Sequence, residues 1–76
     1  MTPEPRVVFT EYALMRMHQR DIDEDEVRAA LEAPSSRHRR REDGRAEVTQ
    51  RFGRRMLLVV YRRNAAGITV INAMWE

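Results

Sequence analysis

Cysteine and lysine are both missing from this chain of 76 residues, and no stretch of it stays apolar for more than six positions. Without cysteine there is no disulfide, no thiolate nucleophile and no cysteine-containing zinc or iron–sulfur site. Without lysine there is no lysine base, no Schiff base and no P-loop lysine. No run approaches the roughly 20 apolar residues of a membrane helix. The opening residues, Met1 to Arg6, carry no signal-peptide apolar segment, so the expected location is the cytoplasm, with no membrane partner. Glycine occurs only three times, in neither a phosphate-binding loop nor a nucleophile elbow. The two histidines, His18 and His38, lack the i, i+4 spacing of a metal helix. Neither a metal nor a cofactor is expected.

What the chain has instead is arginine. All 14 basic residues are arginine, against 12 acids, for a net charge of +2. Arginine stays charged and offers a planar fork that matches phosphate, although GC-rich codon usage produces the same bias. The small net charge hides a division. Residues 1–32 hold four arginines and eight acids, a local −4, and residues 33–76 hold ten arginines and four acids, a local +6. Such asymmetry speaks to partners and not to fold. At this length residues 1–76 form a single domain with one core.

Periodicity supplies the elements. Arg6-Val7-Val8-Phe9, following Pro3 and Pro5, is β-branched and reads as a strand. Thr10 is placed to cap a helix from Glu11 to about Arg20, with Phe9 and Leu14 at the spacing of a hydrophobic staple. Ala13, Leu14 and Met17 form its expected buried stripe, with Thr10 and Asp21 at the ends. Asp23 and Glu26 make a capping box for a second helix that buries Val27, Ala30 and Leu31 and stops at Ala33-Pro34. Glu24, Asp25 and Glu26 occupy its first turn, where the helix dipole favours acids. Their consecutive positions point in different directions and make no metal site.

The second half reads as sheet. Ser35 to Gly44 is a polar loop or ragged edge strand, closed by the Asp43-Gly44 turn signal. Arg45 to Phe52 alternates, with Ala46, Val48, Gln50 and Phe52 on one face and Arg45, Glu47, Thr49 and Arg51 on the other. Met56 to Tyr61 is apolar on both faces and therefore central. Arg62 to Gly67 reads as a turn, and Ile68 to Trp75 as the last strand. The expected fold is α+β: a strand, two helices, then a three- or four-stranded antiparallel sheet with the helices on one face. The opposite face is expected to be basic and wet, with Arg62 at a strand end.

Two groups of residues could carry chemistry. Tyr12, Arg16 and Gln19 recur at helical spacing with Arg20 on the flank, able to stack on a base and clamp a phosphate, or else Tyr12 covers the core edge and Arg16 and Arg20 pair with Glu11, Glu24 or sheet acids. In the run from Arg37 to Arg41, an extended chain points Arg37, Arg39 and Arg41 one way and His38 and Arg40 the other, a spacing that can track a phosphate backbone or simply keep an edge solvated. Tyr12, Tyr61 and Trp75 are the aromatics expected to be exposed, with Phe9 and Phe52 in the core and His18 in solvent. Any catalysis by this residue set would be metal-free acid–base chemistry. Cleavage of RNA by its own 2′-hydroxyl needs least: a base, an acid, and cations at the phosphate.

The segment Phe9-Thr-Glu-Tyr-Ala-Leu-Met-Arg-Met-His-Gln-Arg-Asp-Ile22, followed by Val27, Leu31 and Pro34, resembles the opening signature of the domain-of-unknown-function 4258 family, and the strands at Met56 to Tyr61 and Ile68 to Trp75 fit as well. That family is similar to the RelE-like toxin fold, whose members are often metal-free ribonucleases restrained by an antitoxin. The resemblance implies an RNA-binding, toxin-like protein. Arg16, Arg20 and Arg62 would be its phosphate ligands, Tyr12 a stacking or acid group and Asn72 a positioning group. Arg37, Arg39, Arg40, Arg41, Arg45 and Arg51 would be further nucleic-acid contacts. The family usually carries histidine where Tyr12 stands, threonine or serine near Asn72, and glycine where Asp21 stands. Tyrosine, with an ordinary pKa of about 10, is a poor base at neutral pH. Partners consistent with this reading are RNA and an antitoxin-like protein. The alternative class is a non-catalytic module, either a protein-interaction domain or a degenerate toxin relative that forms a homodimer through its sheet edge.

Overall fold

A computed structural model describes residues 6–41 and 43–76; Pro3 and Pro5, read above as preceding the first strand, lie outside them. The elements follow in the order β1 (Arg6–Phe9), α1 (Glu11–Gln19), α2 (Glu24–Glu32), β2 (Arg37–Arg40), β3 (Ala46–Phe52), β4 (Arg55–Asn64) and β5 (Gly67–Trp75). The fold is α+β, and the strands form one five-stranded mixed sheet in the order β1-β5-β4-β3-β2.

Both helix starts are set locally. Thr10, in extended backbone, accepts the Ala13 N–H on its hydroxyl at 3.0 Å. The Asp23 N–H is answered by the Glu26 carboxylate at 2.9 Å. Each satisfies donors that a helix cannot pair internally. Helix α1 ends as Asp21 turns into the left-handed region at φ 56°, a conformation that an L-residue adopts at a cost and that aspartate tolerates better than most.

The core lies between the helices and one face of the sheet. Ala13 and Met17 of α1, Ile22, and Val27 and Ala30 of α2 meet Val48, Leu57, Val59, Tyr61, Ile68, Val70 and Ala73. Leu14 is not among them. It is 42% exposed, because Ala13 and Met17 form the row that meets the sheet and Leu14 stands one residue, about 100°, further round. The expected buried stripe therefore loses Leu14.

The antiparallel meander of β3, β4 and β5 is present, but the sheet is larger than three or four strands and is not purely antiparallel. The arginine run forms β2, antiparallel to β3, and the short β1 lies parallel to β5 at the far edge. Strand β4 is central, as its two apolar faces require. It continues beyond Tyr61 to Asn64, so the turn expected over Arg62 to Gly67 shrinks to Ala65-Ala66, tied by the Asn64 side-chain Oδ1 accepting from the Ala66 and Gly67 N–H groups. At Gly67 the Cβ of any other residue would stand 2.2 Å from the Arg6 carbonyl oxygen, so the parallel pairing of β1 depends on its absence. The open face is also less wet than expected. Leu58 and Val60 point there and are only 8% and 4% exposed, with Arg62 beyond them on the same strand.

Candidate functional site

Strand β2 is where the arginine run becomes geometry. A four-residue edge strand of Arg37-His38-Arg39-Arg40, exposed throughout, resists pairing with another chain because it presents charge at the open edge. Its register places His38 beside Val48 and Arg40 beside Ala46, on the helix-covered face. Arg37 and Arg39 stand beside Thr49 and Glu47, on the open face. The alternation expected from the sequence is therefore present. Arg41 pairs with Glu47, and Arg45 lies 3.6 Å from Asp43. Among the described residues Arg37, Arg39, Arg40 and Arg63 have no carboxylate within ion-pair distance.

On the helix side the sheet extends past α2 and leaves a cleft of about 470 Å³, lined by His38, Arg39, Arg40, Arg45 and Arg63 over Ala46 and Tyr61. Among the described residues its lining holds four arginines and no carboxylate, with Arg39 reaching it from an open-face register position and Arg45 paired with Asp43. Tyr61, opposite Ala46 in register, belongs to the core and is 4% exposed, so its hydroxyl needs a partner at the core's margin. That partner is His38: Nδ1 and the tyrosine Oη share a hydrogen bond at 2.8 Å, with the rings edge to face at 5.9 Å. The bond fixes the imidazole and leaves Nε2 as its unengaged nitrogen. Arg45 Nε is buried and makes no hydrogen bond within the described residues, but it faces the Asp43 carboxylate at 3.6 Å. In chemical terms this is an anion cleft with one oriented imidazole.

The residues selected from the sequence do not share one place. Tyr12, 51% exposed, and Arg16 come together on α1, with the guanidinium 5.8 Å from the ring centroid and Arg16 Nη1 donating to Gln19 at 3.3 Å. Arg20 and Asn72 meet at the other end of the helix. Arg20 Nη1 donates to the Ala73 carbonyl at 2.8 Å and to Asn72 Oδ1 at 3.2 Å, while the Trp75 indole donates to the Arg20 carbonyl at 3.0 Å. Strand β1 covers β5 only from Gly67 to Val70, and β5 runs on to Trp75. Arg20 takes over part of that uncovered edge. Arg62 lies on the open face opposite Thr69, and Arg51 lies there opposite Met56.

Of the aromatics expected at the surface, Tyr12 and the half-buried Trp75, with Arg55 stacked at 3.9 Å, remain accessible, and Tyr61 does not. His18 is exposed, as read. Sequence reasoning missed the pairing of His38 with Tyr61 and the approach of Arg63. The available signal was a tyrosine at an inward position near the end of a central strand, whose hydroxyl had to find a partner.

Among the described residues no helix is long and apolar enough to cross a membrane, and no group of three metal-ligating side chains gathers. The family model described as "Domain of unknown function (DUF4258)" matches residues 9–75. Neither the curated proteins nor the solved structures contain a match to the chain.

Proposed function

The chain belongs to the domain-of-unknown-function family DUF4258, and from the chemistry of its basic edge we propose that it binds RNA, as a toxin-like protein of RelE type. The observation that carries the reading is the cleft lined by Arg39, Arg40, Arg45 and Arg63, of which Arg39, Arg40 and Arg63 have no carboxylate within ion-pair distance among the described residues. Arginines without acidic partners keep their forks free for phosphate oxygens, and an extended strand presents them at a spacing that suits a nucleic-acid backbone. Tyr12 beside Arg16 adds an exposed ring on which an unpaired base can stack. The order of strand, two helices and sheet supports the RelE-like relationship without depending on it.

Counterion release gives the test. Four arginines on a single-stranded RNA predict a slope of log affinity against log salt of roughly −3, and replacing one of them, as in Arg40→Ala, reduces its magnitude by about 0.7. Fluorescence anisotropy of a labelled single-stranded RNA across salt concentrations measures both. No binding at low ionic strength would remove the proposal.

A further inference from the structure

We propose that the outer edge of β1 is a pairing site for a second copy of this chain, the two β1 strands running antiparallel about a two-fold axis at Val8.

The two edges of the sheet are built differently. At the β2 edge three arginines and a histidine stand exposed, a composition that discourages strand addition. At the other edge stand Val7, Val8 and Phe9, with Arg6 the only charge on the strand, and Val8 is 46% exposed. Strand β1 pairs with β5 alone, while α1 packs on β5 and α2 on β3 and β4.

The backbone fixes the register. Thr10 N–H donates to the Val70 carbonyl at 3.1 Å, so Thr10 faces β5. Successive residues of a strand turn their backbone groups to opposite edges, so Val8 and Arg6 also face β5, while Val7 and Phe9 present their N–H and C=O groups outward. With Val8 opposite Val8 of the second copy, Val7 of each copy stands opposite Phe9 of the other and exchanges both hydrogen bonds with it. The side-chain faces agree. Val7 and Phe9 lie beside Ile68 and Val70 on the helix-covered face, so each cross-strand pair extends both cores. Val8 lies beside Thr69 on the open face, where its counterpart covers it. A shift of one residue would lay helix-covered side chains against open-face ones. A shift of two sets Val7 opposite either itself, leaving Phe9 against Pro5 with no N–H to give, or Glu11, already in α1.

The strand ends are complementary in charge. Exposed Arg6 of one copy comes beside Thr10 and exposed Glu11 of the other, and among the described residues neither charge has an ion-pair partner. The outer edges of the joined sheet are then the two β2 strands, so the assembly closes at two copies. Strands of four residues make a small interface, which places the association in the weak class. No residue lining the arginine cleft takes part, so this inference stands apart from the RNA reading.

The absence of cysteine makes the test direct. Opposed residues that share no hydrogen bond have Cα atoms about 4.5 Å apart, within disulfide range. Val8→Cys should therefore crosslink to a dimer on mild oxidation, and Leu14→Cys, at a 42% exposed position on α1, should stay largely monomeric. Sedimentation equilibrium of wild type should show monomers in exchange with dimers, and Val8→Lys, which sets like charges face to face, should weaken the association at least about tenfold. Val8 is exposed, so its variants should fold, which circular dichroism checks. A wild type that stays monomeric up to about millimolar concentration would overturn the proposal and leave the edge to a strand of another protein. So would a dimer undiminished in Val8→Lys, or equal crosslinking of Val8→Cys and Leu14→Cys.

Discussion

Replacing Arg20 by alanine separates a structural from a catalytic role for a residue that both the helical spacing and the family resemblance single out. Its guanidinium donates to the Ala73 carbonyl at 2.8 Å and to Asn72 Oδ1 at 3.2 Å, both partly buried. A hydrogen bond from a charged donor contributes about 1.5–3 kcal/mol when buried. The shorter bond is assigned about 1.5 kcal/mol, and the longer one, partly exposed, about 0.5 kcal/mol. The expected loss is about 2 kcal/mol, which for a domain of this size lowers Tm by roughly 8–16 °C. Thermal and urea unfolding of Arg20→Ala, Asn72→Ala and the double variant measure it, and the cycle should return a coupling of at least about 0.5 kcal/mol. A single variant melting within a degree or two of wild type would refute the argument that Arg20 substitutes for a missing strand along β5. If RNA binding were abolished in that stable variant, Arg20 would belong to the binding surface instead.

Two backbone positions yield further expectations. Asp21→Gly should stabilise the protein by about 0.5–1 kcal/mol, because glycine adopts the positive φ of 56° without the steric cost an L-residue carries there. An unchanged or lower urea midpoint would show that the aspartate side chain compensates for that cost. Gly67→Ala should destabilise by about 2 kcal/mol or more, since its Cβ meets Arg6 backbone at 2.2 Å and φ is 146°. Hydrogen exchange should show the loss first at β1, and wild-type protection there would contradict the close approach.

Sequence alone determined what depends on neighbours. Thr10 to Ala13 and Asp23 to Glu26 are contacts across three residues, governed by the backbone geometry of a single helical turn. The alternation of His38 and Arg40 against Arg37 and Arg39 follows from the period of a strand, and the central place of β4 follows from its two apolar faces. The missing lysines and cysteines left arginine, histidine, tyrosine and carboxylates as the only chemistry available.

What only the tertiary structure decided were the long-range meetings. Periodicity says that a short strand exists at Arg6 to Phe9, but not that it lies parallel to β5. Nor does it say which of Leu14 and Ala13 faces the sheet, because that depends on how closely α1 settles on β5. His38 and Tyr61 are 23 residues apart and meet because β2 and β4 both pair with β3 in fixed register. Arg20 and Asn72 are 52 apart and meet because β1 stops short and leaves the β5 edge for a side chain to cover. Strand order and register are set by the packing of the whole sheet, which no local window of sequence contains. The site of the candidate chemistry was therefore legible as a set of residue types and became a place only through the fold.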